Sequence, residues 1–507
     1  MTAPAIFSVA LPNETATAQL MADLALLVGP GDVITLSGDL GAGKTAAARA
    51  MIRYLAGDDE LEVPSPTFTL AQSYELAFPL IHADLYRIDD VSELEEIGLS
   101  PLPEGTLALI EWPERAPEAM PADRIDIALS HRPALGSTAR AAEITGHGKA
   151  AAIVERLQAL RQFLQDAGFA ESRRVRMAGD ASTRSYARLI RDAGPFILMN
   201  SPKRPDGPAI YHGKSYSAAV HLAEDVKPFV AIAGGLRARK LSAPAIRHAD
   251  LDAGFLITED FGTAGVIEGD PPAPMPERYE IATDMLAELH REALPESLPL
   301  APQINYPIPV FDTDAMLVEI GLMPEWYLPD RGADLGAEQR TQFVTMWREL
   351  LDSKVAPTPR TWVMRDFHSP NIIWLGDREG IARIGIIDFQ DAVLGPAAYD
   401  LVSLLQDARI DVPEQLELAL FSRYIKARRA ADEAFDAAGF AELYAIMSAQ
   451  RNTRLLGTCA RLNRRDGKPQ YLKHQPRIWS YLSRSLAHPA LSGFRQWYEA
   501  HVPPPGP

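Results

Sequence analysis

The sequence predicts two tandem modules: an α/β P-loop domain, then a bilobal α+β domain in which a β-rich part precedes a helical part. Three observations carry this reading. GDLGAGKT at 38–45 lies between the apolar run VITLSG and the helical TAAARAMIRYLAG; the apolar β-like runs YARLI, PFILMN and FLITED occupy 169–260; and helical patterns with proline interruptions dominate 273–357 and 397–500. A chain of 507 residues exceeds the size at which one core keeps growing, so more than one domain is expected.

In residues 14–27, Leu20, Leu24 and Leu27 recur at helical spacing, and GPGD then turns the chain into VITLSG. This predicts helix, turn, strand. The helix that starts on the glycine loop has Met51, Ile52 and Leu55 available to face a sheet. LIHADLY and TLALIEW read as buried strands, alternating RIDIALS as an outer strand, and ARAAEITG as a returning last strand. The domain division expected is 1–148, a connecting helix over 149–168, and 169–507. Neither solenoid repeats nor coiled-coil heptads are present.

Lys and Arg total 50 against 67 Asp and Glu, a formal charge of -17. Phosphate backbones are repelled on average, which excludes a general duplex-coating role and predicts little direct tRNA affinity. Cys459 is the single cysteine, so neither an intramolecular disulfide nor a cysteine-rich zinc site can form. No run of 18 apolar residues and no leader-like start is found, and a cytoplasmic chain without membrane association is expected.

GDLGAGKT satisfies the GxxxxGKT pattern in its required strand-to-helix setting. Gly38, Gly41 and Gly43 let backbone N–H groups approach phosphates, Lys44 neutralises β/γ charge, and the Thr45 hydroxyl can ligate magnesium. Asp84 in HADLYR and Glu111 in LIEWPE fall at strand ends, where each can hold the metal shell or polarise a nucleophile; a surface ion pair is the alternative for either. On its own, Thr67 in SPTF is as consistent with a turn hydrogen bond as with a functional role. The ordered set GDLGAGKT, SPTFTL, HADLYR and IEWPE closely resembles the TsaE family, the ATPase subunit of the bacterial machinery that makes threonylcarbamoyladenosine in tRNA. The resemblance covers about 1–148. It implies ATP and Mg2+ bound by Lys44 and Thr45, Thr67 in a switch-like segment at the nucleotide, Asp84 and Glu111 as metal-associated or catalytic acids, and Trp112 near the nucleotide or in the core. It further implies TsaD and TsaB as partners, with tRNA reached only through that complex.

RDFHSPN at 365–371 places Asp366 five positions before Asn371, and Asp388 follows on a strand in IIDFQD. Phosphoryl transfer asks for a carboxylate at the acceptor hydroxyl, an amide on magnesium and a second carboxylate holding magnesium against phosphate. Asp366, Asn371 and Asp388 fill these roles in that order. His368 between them is read as fixing the loop in preference to acting as a base. Together with GDASTRSYARL, LMNSP, ITEDFG and DFQDAVLGPAAYDLVSLLQDAR, the motif resembles the aminoglycoside phosphotransferase-like kinases, with their β-rich first lobe and helical second lobe. It resembles more closely the anomeric kinases of N-acetylmuramate and N-acetylglucosamine. By that likeness an amino sugar receives the ATP γ-phosphoryl group at C1. Gly179, Ser182 and Thr183 become the phosphate-side turn, Glu259 and Asp260 the adenine hinge, and Asp391 either orients the site, binds sugar or caps a helix. PFILMN lacks the usual strand lysine; Lys203 and Arg184 are the candidate substitutes, with a solvated surface charge the alternative for either. The basic stretch 451–474 reads by default as a solvated face; alternatives are an arginine for a lactyl carboxylate with Tyr471 stacking on sugar, or contact with tRNA phosphates. Two other readings of this half stay open: phosphorylation of a different small hydroxyl compound, and a non-catalytic nucleotide-sensing module.

Overall fold

The computed structural model describes residues 4–506 apart from 89, 91, 97, 178–183, 193 and 204–206. It divides into two compact units, residues 1–202 with 247–260, and residues 203–246 with 261–507.

In the first unit, β1 (Ala5–Leu11) leads into α1 (Glu14–Ala25), whose first turn is capped by Asn13 Oδ1 accepting from Ala16 N at 2.9 Å. β2 (Val33–Ser37) runs through the glycine loop into α2 (Lys44–Ala56), which stops at Gly57 with φ 68°. β3 (Ala71–Glu75), β4 (Pro79–Asp84), β5 (Leu107–Glu111), β6 (Arg124–His131) and β7 (Arg140–His147) complete a sheet in the order β1-β7-β6-β2-β5-β4-β3. β2 pairs parallel with β5 and β6, and β5 parallel with β4. β5, apolar up to its terminal Glu111, is buried along its whole length, as a central parallel strand must be. β6 corrects the expectation of an outer strand: it lies between β7 and β2. Alternation reports that its two faces differ, not that one of its edges is free. β1 and β3 were not legible as strands.

The helix Ala151–Asp166 buries Val154, Leu157, Leu160 and Leu164. Beyond it, β8 (Arg173–Arg176), β9 (Ser185–Arg191) and β10 (Gly194–Asn200) join the strands Phe255–Glu259 and Ile246–Asp250 in a second, five-stranded sheet. Ala187, Leu189, Leu198, Phe255 and Ile257 of this sheet belong to the same apolar core as Leu20, Ile34, Met51 and Leu109 of the first, with the helix contributing Leu157 and Leu160. Polar ties reinforce the joint. Asp23 on α1 receives Arg174 Nε and Arg161 Nη1, each at 2.8 Å, the Arg176 guanidinium donates to Leu55 O, and Ser185 Oγ donates to Leu26 O at 2.8 Å.

The second unit is mainly helical, with a hairpin Ser297–Ala301/Ile304–Pro307 inside a stretch expected to be helical. Two short antiparallel pairs flank the segments 364–371 and 387–392: Arg360–Val363 with Val393–Pro396, and Ile372–Trp374 with Ile384–Ile386. Among the described residues, no helix is long and apolar enough to cross a membrane.

Candidate functional sites

The C-terminal ends of β2, β5 and β4 converge, and in an α/β sheet this is where ligands bind. Gly38, Gly41 and Gly43 all take positive φ, 132°, 79° and 103°, and a Cβ on Gly38 would collide with Leu129 O. Glycine is therefore required at 38 by both space and conformation. The Lys44 ammonium donates to Gly38 O at 2.6 Å and Asp39 O at 3.1 Å and sits 3.4 Å from the Trp112 ring centroid. Burial pushes its pKa down, and Glu111, Glu114, Asp84 and Asp39 offset that only in part. Trp112, at φ 61°, thus packs its face on the phosphate-site lysine.

Cross-strand register sets Asp84 opposite Glu111. Thr45 Oγ1 donates to Glu111 Oε2 at 2.9 Å, while Glu111 Oε1 lies 2.9 Å from His82 Nε2. Thr67 Oγ1 donates to Asp84 Oδ2 at 2.7 Å and lies 2.8 Å from Ser65 Oγ. The residues expected from sequence therefore assemble: loop, Thr45, Thr67, Asp84 and Glu111. His82 and Arg140 were missed. Arg140 donates from Nε to Ala42 O at 3.1 Å and from Nη2 to Gly41 O at 3.2 Å, gripping the loop from β7. A cavity of about 380 Å³ flanks the loop, lined among others by Gly43, Thr17, Arg49, Thr138 and Arg140.

In the second unit, Val363 ends a strand and Arg365 takes φ 68°. Asp400 secures this turn, accepting from Met364 N at 2.6 Å and Arg365 N at 3.0 Å; burial pushes its carboxyl up to about 7 despite those amides. Asn371 Nδ2 donates to Asp366 O at 3.0 Å and reaches Asp388 Oδ2 at 3.5 Å, so the three predicted residues are brought together. Asp388 also has left-handed φ, 59°, and accepts from Gln390 Nε2 at 2.9 Å. Strain at both turns is the kind that fixed surroundings hold at working sites.

Asp366 Oδ1 meets Arg454 Nη2 at 3.3 Å and Arg451 Nη2 at 3.5 Å. Burial alone would raise this carboxyl; the charges of Arg454, His368, Arg451 and Arg365 outweigh it and hold Asp366 well below the usual carboxylate range. His368 is itself pushed down by burial, and its Nδ1 is buried without a hydrogen-bond partner; its backbone helps fix the loop, as His368 N donates to Asp366 O and Asn371 N to His368 O. The default solvated-face reading of 451–474 is corrected for Arg451 and Arg454, while Arg464, Arg465 and Lys473 are exposed as expected. Arg451 is 2% exposed, and both arginines turn inward because the helix Ala437–Asp466 packs against the helix Thr313–Ile320 and its following turn. Asp391 accepts from Ala223 N at 2.6 Å. Lys203 is exposed, whereas Arg188 of β9 donates to Asp260 Oδ2 at 2.5 Å. Glu259 closes its strand opposite Phe196. Gly179, Ser182 and Thr183 lie outside the described residues.

Among the described residues, no group of three His, Cys, Asp or Glu side chains is set to hold a metal alone. Magnesium carried on ATP needs only one or two protein oxygens beside the phosphates, and the Asn371–Asp388 pair and Thr45 with Glu111 fit that demand.

Both parts of the chain resemble known proteins. Residues 11–139 match the family "Threonylcarbamoyl adenosine biosynthesis protein TsaE" and residues 174–435 the "Phosphotransferase enzyme family". The chain is 37% identical over 362 residues to an N-acetylmuramate/N-acetylglucosamine kinase of Caulobacter vibrioides, covering 69% of this chain and 97% of that one. It is 35% identical over 320 residues to a like-named kinase of Neisseria meningitidis, covering 61% and 84%. A Rickettsia felis tRNA threonylcarbamoyladenosine biosynthesis protein TsaE is 35% identical over 150 residues, 29% of this chain and 85% of that one. The chain thus belongs to the TsaE family in its first part and to the phosphotransferase enzyme family in its second, an ATP-using enzyme with two phosphate chemistries in one polypeptide.

Proposed function

We propose a bifunctional cytoplasmic enzyme whose family domains are 1–148 and 169–507, joined through 149–168. The first hydrolyses ATP in support of threonylcarbamoyladenosine formation at tRNA position 37, docked on TsaD and TsaB. The second phosphorylates the anomeric hydroxyl of N-acetylmuramate or N-acetylglucosamine, as cell-wall recycling requires. The observation that carries the second activity is the match to 97% of the Caulobacter kinase, together with the cluster of Asp366, Asn371 and Asp388.

In the first domain, the loop amides and Lys44 bind the nucleotide phosphates, and the flanking cavity is of a size for the nucleoside. Glu111 and Asp84 are placed to order the attacking water. In the second, Asp366 stays ionised at neutral pH with Oδ1 occupied by arginines, and Oδ2 receives the acceptor hydroxyl. The hydroxyl oxygen attacks the γ-phosphorus, the bond to ADP breaks, and the hydroxyl proton passes to Asp366. So weak a base takes the proton late, and positioning carries most of the catalysis. Asn371 and Asp388 would hold magnesium, whose charge supports the phosphoryl group in flight.

The test is full-length protein with ATP and a panel of sugars, the product read by phosphorus and carbon NMR. Phosphate at C1 of either amino sugar is expected. Phosphate at C6, or turnover only with another hydroxyl compound, rejects the assignment.

A further inference from the structure

The second unit buries a cluster of charge larger than its proposed reaction requires. Glu319, on the helix Thr313–Ile320, has no exposure and accepts from three side chains: the Arg365 guanidinium, Arg454 Nη1 at 3.1 Å and Gln450 Nε2 at 3.2 Å. Arg454 passes from Glu319 to Asp366, Nη1 on one carboxylate and Nη2 on the other. Arg451, one turn before it, reaches the same Asp366 oxygen while Nη2 also donates to Ser403 Oγ at 2.8 Å. Glu319 thus grips Asp366 twice: through Arg454, which touches its carboxylate, and through Arg365, its neighbour in the chain. Buried ion networks contribute little to stability compared with apolar packing, because desolvation offsets the attraction. What they fix is geometry.

We propose that Glu319, Arg454 and Arg451 are positioning residues that brace the Asp366 carboxylate, and that Arg454, with both Nη atoms on Glu319 and Asp366, serves this brace and not an acidic group on the substrate. With Oδ1 occupied, one rotamer of Asp366 is selected, and Oδ2, on a side chain 37% exposed, is presented to the acceptor hydroxyl. Gly457 permits the arrangement: a Cβ there would collide with the Leu322 backbone, so glycine lets the helix carrying both arginines approach the segment carrying Glu319. The inference rests on the phosphotransfer reading of this site.

Glu319→Gln, Arg454→Lys and their double variant in the full chain test it, with kcat and KM measured for N-acetylmuramate and N-acetylglucosamine. Each single change is expected to lower kcat roughly tenfold to a hundredfold, as small misplacements of a reacting group do, with KM for both sugars within about threefold and the preference between them unchanged. The double variant is expected to be no worse than the poorer single one, since both break one brace. A KM increase confined to N-acetylmuramate with Arg454→Lys makes this arginine a substrate ligand and overturns the proposal, as do additive losses or an unchanged kcat. Circular dichroism checks the fold, and Arg451→Lys supplies a second variant should Glu319→Gln misfold. If wild type phosphorylates neither sugar, the proposed function fails by itself. The brace is then read from Asp366-dependent ATP hydrolysis in a Lys44→Ala background, and absence of any such turnover overturns the brace as well.

Discussion

The Thr45 hydroxyl donates to Glu111 Oε2 across 2.9 Å, tying the first turn of α2 to the end of β5. On the proposed function, the pair supplies a hydroxyl and a carboxylate to nucleotide-bound magnesium and the attacking water. Glu111→Gln keeps the shape and removes the charge. ATP hydrolysis by the assembled tRNA-modification complex is expected to fall about a hundredfold or more, the scale of lost acid–base assistance, with ATP affinity within about threefold. Equilibrium nucleotide binding beside single-turnover hydrolysis separates the two; equal losses in both would give Glu111 a binding role instead.

On the proposed function, Lys44 and Asp366 serve separate phosphate sites. Lys44→Ala is expected to abolish nucleotide turnover by the first domain while sugar phosphorylation stays within about twofold. Lys44 lies at the sheet ends and is not among the apolar residues shared with the second sheet, so the change leaves that joint intact. Loss of sugar phosphorylation in a well-folded Lys44→Ala protein would mean that the sites depend on each other.

Asp23→Ala strips the partner from Arg174, whose side chain is 2% exposed. A buried guanidinium left uncompensated costs about 3–5 kcal/mol. Chemical denaturation is expected to show a loss of that size, and the double change Asp23→Leu with Arg174→Met is expected to recover most of it.

His290 is fully enclosed, its Nδ1 2.8 Å from the Tyr424 hydroxyl, and burial pushes its pKa down to about 3. The unfolded chain binds a proton near pH 6.5 that the folded chain refuses. Stability from this group is therefore complete above about pH 6.5 and is lost as pH falls from there towards 3, at about 1.4 kcal/mol per pH unit. His290→Asn keeps a hydrogen-bonding atom for Tyr424 and removes the titration. Between pH 7 and 5, wild type is expected to lose about 2 kcal/mol more than the variant in urea unfolding; equal losses would show that His290 charges without cost.

Residues that act through a local pattern were legible. The glycine loop announces itself because strand, glycines, lysine and threonine are consecutive, and Asp84 and Glu111 stand out as acids ending apolar runs. Asp366, Asn371 and Asp388 follow from spacing and one intervening strand. His82 was hidden by its position inside a buried strand, where a histidine looks like core. Arg140 touches the loop only through backbone carbonyls across 98 positions of chain, which leaves no mark in composition. Arg451 and Arg454 sit in a run so basic that solvation was the natural reading; only helix-on-helix packing turns them inward. The apolar rows on 149–168 were visible, yet periodicity says that a face is buried without saying what buries it.

The apolar face of the five-stranded sheet that rests on the first domain gives the fusion a hereditary consequence. Two activities that separate genes would supply in independent amounts are made here in a fixed one-to-one ratio. A substitution such as Asp23→Ala strikes a joint of the first unit to which both parts of the fused chain contribute residues. Selection acting on the first module's activity therefore also acts on the second's, and neither can drift alone through residues of the shared core.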